Sequence, residues 1–472
     1  MLRKTKLVCT IGPASNSNRV IERLVRAGMN VARLNFSHGS HQEHAETIRT
    51  IRDVSDKLDI PVAILLDLPG PKLRTGRLEK NEVRLNEDDH FSFTSEKVLG
   101  DKHRVSVDSL GFFNDIVVGD NIFLNDGAIQ LEVTSTNNNE AECKVVVGGL
   151  LTGNSGINVP GVKLNVPSVS SKDLKHLAFA LEHGVDFVAV SLICSADDIL
   201  KIKQLLQKKG GNIPLIAKIE KHEAVNNIDS IVAEADGIMV ARGDLGVEIR
   251  LERVPIVQKE IIRKCNQAGK PVIVATQMLE SMVGATRPTR AEVSDVANAI
   301  LDGADAVMLS GETAIGRYPV RTVKVMAKII TETEKVLPYE LILHEKSEQV
   351  TDQTDDAISY AACHMSQRLR VACIIAYSSS GSTALRVSKY RPKVPILAIT
   401  PNSKIARRLV LSWGIEPHLV TEPINADMMF QEAAKLAHKT ALAKIGELVV
   451  ITAGIPTGSP GSTNVVKVHR VE

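Results

Sequence analysis

Eight short apolar runs, each ending in polar or charged residues and most followed by a helix-like stretch, constrain the fold of this chain more than any other feature. They are Lys6–Ile11, Asn30–Phe36, Val62–Asp67, Asp186–Leu192, Pro214–Ile219, Gly237–Ala241, Pro271–Thr276 and Ala304–Leu309. Their near-continuous hydrophobicity suits strands covered by helices on both sides. Eight such units is the count of a (β/α)8 barrel. The stretches between them carry helix signals. Thr289-Arg-Ala-Glu292 and Ser170-Ser-Lys-Asp173 read as capping boxes. Leu251–Ala268 has Val254, Val257, Ile261 and Ile262 at helical spacing, with Gly269 as its stop.

Two intervals depart from this theme. Between the third and fourth runs lie short alternating segments, Asn81–Leu85, Asn121–Leu124, Leu131–Ser135 and Ala141–Val147, separated by turns such as Asn125-Asp-Gly127. They predict a small all-β barrel inserted into the third β/α loop, which opens where barrel active sites lie and is placed to act as a lid. Beyond about residue 341, a helix over Thr354–Arg368 precedes runs at Ala372–Tyr377, Ile396–Thr400, Pro417–Val420, Leu448–Thr452 and Asn464–His469. This predicts a separate α/β domain with one antiparallel edge strand. With 472 residues, 44% of them hydrophobic, the chain has material for two or three cores. The expected division is a catalytic barrel of residues 1–71 and 168–341, a lid of residues 72–167 and a C-terminal regulatory domain of residues 342–472.

Lys and Arg number 57 against 55 Asp and Glu, a balance that gives no support to a nucleic-acid or membrane-surface protein. Cys9, Cys143, Cys194, Cys265, Cys363 and Cys373 are scattered, mostly in apolar runs, with no CxxC pair. The expectation is a reduced, cytoplasmic setting. The opening MLRKTKLVCTIG runs straight into a strand-like segment without the pattern of a signal peptide, and no apolar run is long enough to span a bilayer.

The ends of the barrel runs are where function is expected. Run two ends Arg33-Leu-Asn35-Phe-Ser37-His38, and the period of two puts Arg33, Asn35 and Ser37 on one face. Run three ends at Asp67, run five at Lys218-Ile-Glu220, run six at Arg242-Gly-Asp244-Leu-Gly246, run seven at Thr276, and run eight is followed by Ser310-Gly-Glu312. A structural ion-pair network at the barrel mouth would account for Lys218 and Glu220 alone. It does not account for five strands converging charged groups at one end. Glu220 and Asp244 are hard oxygen ligands suited to Mg²⁺, and no His or Cys cluster suggests zinc. Arg33, Arg74 and Lys218 supply positive charge for a phosphorylated anion. Phosphoryl transfer asks for little beyond positioning and charge neutralisation. No Walker A sequence is present, and no GxGxxG follows a strand. Ser37 and His38, adjacent on a strand, point to opposite faces and do not make an acyl-transfer pair. Ser378-Ser-Ser-Gly-Ser-Thr383 follows a strand and precedes a helical stretch; it reads as a flexible turn or a phosphate nest.

At these residues the chain resembles the pyruvate kinases. The resemblance runs over essentially its full length, through Thr5–Ser15, Asn30–Gly39, Asp67–Gly76, Ser155–Gly161, Ala217–Glu220, Gly237–Glu248, Ala275–Met282, Arg287–Pro319 and the loop Gly461–Asn464. It implies a barrel, a β lid after the third strand, a C-terminal regulatory domain and a homotetramer. The implied substrates are phosphoenolpyruvate and ADP, giving pyruvate and ATP. Arg33 would contact the substrate phosphate, and Lys218 would neutralise the transferring group. Glu220 and Asp244 would hold Mg²⁺, with Mn²⁺ as a substitute. Gly243, Asp244 and Thr276 would bind the carboxyl end of the substrate. Asn35, Phe36, Ser37, His38 and Arg74 would line the nucleotide side, with Glu312 in the proton-relay surroundings. Ser155 stands where many members carry an ATP-contacting Lys.

The resemblance also points to a distinct subgroup. Members that need K⁺ ligate it with residues matching Asn35, Ser37 and Asp67, and generally carry Thr after that Asp and Glu after Gly-Pro. Here Leu68 and Lys72 stand in those places, as in K⁺-independent members, so K⁺ is not expected to be required. The Lys72 ammonium would substitute for the cation. The family's effector loop corresponds to Ser378, Ser380, Ser382 and Thr383, with Gly458–Ser462 nearby. Ser382 replaces the Arg of many fructose-bisphosphate-responsive members, which implies a monophosphate, such as a sugar monophosphate or AMP, as effector rather than a bisphosphate. Two rival readings remain: a Mg²⁺-dependent lyase or aldolase of small keto acids, and a sugar-phosphate sensor with an inactive barrel.

Overall fold

A computed structural model describes residues 2–107, 110–125, 127–162, 169–421, 425–455 and 463–472. Eight parallel strands close into a barrel: β1 (Lys6–Thr10), β2 (Val31–Asn35), β3 (Ala63–Asp67), β4 (Phe187–Val190), β5 (Leu215–Ile219), β6 (Gly237–Ala241), β7 (Val272–Ala275) and β8 (Ala306–Leu309). Each pairs with its neighbours in sequence, and β1 closes against β8. All eight apolar runs became barrel strands. The runs overshoot the strands at several ends, because Ser191, Leu192 and Thr276 already turn away from the sheet.

Alternation along the strands separates two cores. Val8, Val31, Leu65, Ala189, Ile216, Met239 and Ile273 fill the barrel interior. Leu7, Leu34, Ile64, Val188 and Ala217 face the surrounding helices. Both expected capping boxes form, at Ser170 with Asp173 and at Thr289 with Glu292. The helix Val254–Ala268 ends at Gly269, whose φ of 66° supplies the left-handed cap.

The insert is a six-stranded sheet ordered Ile157–Asn158, Asn121–Leu124, Ile129–Thr136, Glu140–Val147, His90–Thr94, Arg104–Ser106, beside a ladder of Glu82–Leu85 with Gly149–Thr152. Arg74 bridges to Gly156 at one edge of that sheet and Thr75 to Val107 at the other, so the incoming chain closes the sheet on itself. One short helix, Leu110–Asp115, interrupts the expected all-β texture. Phe91, Phe93, Phe112, Leu131 and Val145 form the core of this body.

The C-terminal sheet contains β9 (Ile374–Tyr377), β10 (Ile396–Thr400), β11 (Ile415–Leu419), β12 (Leu448–Gly454) and β13 (Thr463–Arg470) in the order β11-β10-β9-β12-β13. The edge strand β13 is antiparallel, as expected. This body docks on the N-terminal ends of the barrel strands. Arg391 makes two bonds to Asp305, at 2.8 and 2.9 Å, and Arg407 reaches Asp186 at 2.8 Å. Lys6 Nζ donates to the Ile415 carbonyl at 2.7 Å. Val410 and Leu411 join the barrel-interior cluster and form its floor. All six cysteines are free, and all but Cys194 are buried. No helix of the described residues is long and apolar enough to cross a membrane.

Candidate active site

The interior parity that buries Val8, Val31, Leu65, Ala189 and Ile216 continues upward to the C-terminal ends of β1 to β5. There it delivers Thr10, Arg33, Asp67, Ser191, Lys218 and Glu220 to one mouth. The register sets Asp67 opposite Asn35 on one side and Ala189 on the other. Asp67, 1% exposed, is the hub. Its Oδ2 accepts from Arg33 Nε at 2.7 Å, and its Oδ1 lies 3.3 Å from Lys218 Nζ. Arg33 Nη1 also donates to Thr10 Oγ1 at 2.9 Å.

Lys218 donates to Ser191 Oγ at 2.7 Å, and the Ser191 hydroxyl in turn donates to the Leu68 carbonyl at 2.8 Å. That second bond turns a serine lone pair toward the ammonium. Lys218 Nζ also sits 2.8 Å from Glu220 Oε1. Glu220 Oε2 accepts the Leu192 amide at 2.9 Å, while Oε1, buried, has the ammonium beside it without hydrogen-bond alignment. Burial acts to lower the Lys218 pKa, but Asp67, Glu220 and Asp244 outweigh it, so the group is held firmly protonated. Burial acts to raise Asp67, and Lys218 and Arg33 overcome that, leaving its carboxyl below its ordinary value.

On the insert side, Lys72 Nζ donates to Asp244 Oδ1 at 2.5 Å. Burial would lower its pKa, yet the attraction of Glu220 and then Asp244 raises it. Lys72 therefore neither points free into solvent nor bonds Asn35, Ser37 or Asp67. Its hydrogen bond goes to the carboxylate expected to ligate metal. Asp244 and Gly243 begin the helix Arg242–Glu248 directly after β6. The Gly243 amide donates to Thr276 Oγ1 at 2.8 Å. A Cβ at position 243 would meet that oxygen at 3.5 Å, an ordinary contact. Packing alone thus does not demand glycine there.

Thr276 and Gln277 both have positive φ, 70° and 54°. A β-branched residue in that region is a true outlier, and such residues cost about 1–3 kcal/mol each. Arg242 holds the turn, donating to the Thr276 carbonyl at 2.7 Å while paired to Asp295 at 2.7 Å. Glu312, fully buried, accepts the Leu279 and Ser310 amides at 3.1 and 2.6 Å and so fixes the loops after β7 and β8.

The remaining expected residues divide. Asn35 Oδ1 accepts the Ser37 amide at 3.1 Å, and His38 is exposed. Arg74, exposed, donates to the Asn154 carbonyl at 3.0 Å on the cleft wall. Phe36 turns inward: its ring is 2% exposed, stacked on His44 at 4.0 Å and edge-on to His176. Its aromatic face belongs to the core rather than to an open site. In the C-terminal loop, Ser380 Oγ donates to Ser382 Oγ at 3.1 Å, Ser378 is buried, and the Thr383 hydroxyl bonds Thr463 at 2.6 Å. Gly458–Ser462 lies outside the described residues. Thr10 and Ser191 were not singled out from the sequence, although extending the parity of Val8 and Ala189 by two residues finds both.

Between the insert and the barrel mouth lies a cleft of about 1430 Å³, lined among others by Lys72, Arg74, Ser155, Glu220, Asp244 and Glu248. Cations and carboxylates alternate along it, an arrangement that can neutralise a polyanion and hold a hard cation without any nucleophile.

Comparison with known proteins gives the same direction. The family model described as pyruvate kinase, barrel domain, matches residues 2–323, and that described as pyruvate kinase, alpha/beta domain, matches residues 356–469. A pyruvate kinase of Geobacillus stearothermophilus is 48% identical over 100% of this chain and 81% of its own length. Pyruvate kinases of Staphylococcus saprophyticus and Staphylococcus aureus strain MRSA252 are 46% and 45% identical, with the same coverage.

Proposed function

The chain belongs to the pyruvate kinase family, phosphotransferases that move the phosphoryl group of phosphoenolpyruvate onto ADP, and we propose how its residues divide that work. The observation that carries the assignment is the Arg33–Asp67–Lys218–Glu220 network at one mouth of the barrel, with Asp244 after the adjacent strand β6 lining the same cleft as Glu220. Lys218, fixed by Ser191 and Asp67, meets the transferring phosphoryl group, and Arg33 contacts a phosphate oxygen. Both are preorganised donors whose orientation is set before substrate arrives. Gly243, Asp244 and Thr276 bind the carboxyl end of the substrate, and Asn35, Ser37, His38 and Arg74 the nucleotide side.

The family is generally Mg²⁺-dependent, and the donors present fit that ion. Glu220 and Asp244 are oxygen-only ligands, and Glu220 Oε1 is buried with only an ammonium beside it. Bound there, Mg²⁺ would supply charge neutralisation of the phosphoryl oxygens. The direct test is pyruvate formation from phosphoenolpyruvate and ADP across a Mg²⁺ titration. Absence of turnover would favour the sensor reading, and lyase activity without ADP the rival enzyme.

Lys72 makes K⁺ dispensable on this reading. A K⁺ ion near an ammonium already held beside Asp244 would meet like-charge repulsion. Turnover is expected to be flat from K⁺-free buffer to KCl at matched ionic strength. Lys72→Glu should become K⁺-activated by about tenfold, or about 1.4 kcal/mol of barrier. Strong K⁺ activation of the unmodified enzyme would refute this.

The C-terminal loop is the effector site on the same reading, taking one phosphate group on the Ser380 and Ser382 hydroxyls and the backbone beside Gly381. Ser382→Glu is expected to abolish activation by sugar monophosphates and AMP while leaving basal turnover intact, because Thr383, not Ser382, is bonded to the sheet. Activation that persists with every phosphate ester would move the pocket elsewhere. A cytoplasmic homotetramer divided at residues 72, 168 and 342 completes the proposal, and sedimentation of the purified enzyme tests its oligomeric state.

A further inference from the structure

His222, Glu223 and Glu248 bring an imidazole nitrogen and two carboxylate oxygens within 4.8 Å of one another on the barrel rim. His222 Nδ1 lies 3.1 Å from Glu223 Oε2 and 3.9 Å from Glu248 Oε2. All three atoms are shut off from solvent, and none has an aligned hydrogen-bond partner. Glu248 itself is 7% exposed, so its free oxygen is a deeply buried acceptor aimed into the cluster. Buried oxygens without donors are costly, and two carboxylates at this range repel unless a cation lies between them. Glu223 and Glu248 line the rim of the same cleft, but the function proposed above gives none of the three a role in substrate or Mg²⁺ binding.

We infer that His222, Glu223 and Glu248 form a binding site for one first-row divalent cation of the Zn²⁺ type, separate from Glu220 and Asp244. The donor set decides the ion class. One imidazole with two carboxylates suits Zn²⁺ and its neighbours, whereas Mg²⁺ prefers oxygen and retained water. Tetrahedral Zn²⁺ with ligand bonds of about 2.0–2.2 Å separates neighbouring ligand atoms by about 3.4 Å. The 3.1 and 3.9 Å separations bracket that value. Glu248 Oε1 meanwhile accepts from Asn158 Nδ2 of the insert at 3.3 Å. Asn158 thereby orients a metal ligand from the lid side, and the bound ion ties the insert to the rim.

The full-length enzyme, stripped of metal, is titrated with Zn²⁺ against a fluorescent chelator, and crystals soaked in Zn²⁺ are measured on both sides of the zinc absorption edge. One equivalent is expected, retained in the Glu220→Gln, Asp244→Asn double variant and in Cys194→Ser. The anomalous peak should lie among His222, Glu223 and Glu248. His222→Ala and Glu248→Gln should each weaken binding at least about tenfold, and Asn158→Ala by about tenfold through the outer contact. His222, with its side chain 32% exposed, decides the matter if Glu248→Gln fails to fold. Zn²⁺ binding that disappears with Glu220 and Asp244, that follows Cys194, that survives His222→Ala, or that is absent altogether overturns the site.

Discussion

Lys218→Met is expected to lower kcat by about 10²–10³, the loss of about 3–4 kcal/mol that accompanies removal of one preorganised electrostatic stabiliser. The ammonium is aimed by Ser191 and clamped by Asp67 and Glu220, so its position owes nothing to bound substrate. The substitution also removes the cation nearest the buried Glu220 and one of the two beside the buried Asp67. Breaking a buried pair from one side typically costs about 3–5 kcal/mol. Asp67 keeps Arg33, but Glu220 keeps only the Leu192 amide. A lower melting temperature is therefore expected alongside the lost turnover. Mg²⁺ should raise that temperature more in the variant than in the parent, because the metal replaces the missing charge beside Glu220. A folded Met variant with near-parental kcat would remove Lys218 from the chemistry.

Glu220→Gln and Asp244→Asn should each raise the Mg²⁺ concentration for half-maximal activity by about tenfold or more and reduce turnover with it, since each deletes an anionic oxygen. The two are not equivalent. Asp244 shares an oxygen with Lys72, so Asp244→Asn also frees an ammonium in the cleft, and Lys72 then competes with metal for Glu220. Adding Lys72→Met to Asp244→Asn should recover part of the Mg²⁺ affinity, while adding it to Glu220→Gln should not. Unchanged Mg²⁺ dependence in both single variants would place the metal elsewhere.

The barrel was legible because its strands are apolar on both faces and end in charge, a pattern that survives without knowing any neighbour. The same periodicity carried Arg33 and Lys218 to the mouth. It did not reveal partners. That Lys72 bonds Asp244 rather than the Asn35, Ser37 and Asp67 group depends on how the chain leaves β3 and enters the insert, which local spacing does not encode. The packing of the Phe36 ring against His44, His176 and Phe179 from two helices is hidden for a related reason, since strand spacing says nothing of which helices lie over it. The His222, Glu223 and Glu248 cluster was equally hidden, because helices of two successive β/α units, His222–Asn226 and Arg242–Glu248, must approach to assemble it. In the insert, His90–Thr94, Arg104–Ser106, Gly149–Thr152 and Ile157–Asn158 are strands not anticipated from the sequence.

The floor of the barrel has a consequence for how the molecule comes apart. Leu411, fully buried, and Val410 belong to the C-terminal body, yet they complete the interior of the β/α body. Asp186 and Asp305, buried at the starts of β4 and β8, find guanidinium partners from the same source. A truncated chain ending before β9 would leave an open apolar well at its base, with Asp186 keeping only Arg52 and Asp305 keeping no guanidinium. Such a fragment should be recovered as aggregate rather than as a smaller enzyme, and heating the intact chain should melt both bodies in one calorimetric peak. The catalytic body is then only conditionally autonomous: it inherits its lower boundary from its neighbour. Any displacement of that neighbour is felt first at the roots of β1, β4 and β8, the strands that lead to Thr10, Ser191 and Glu312.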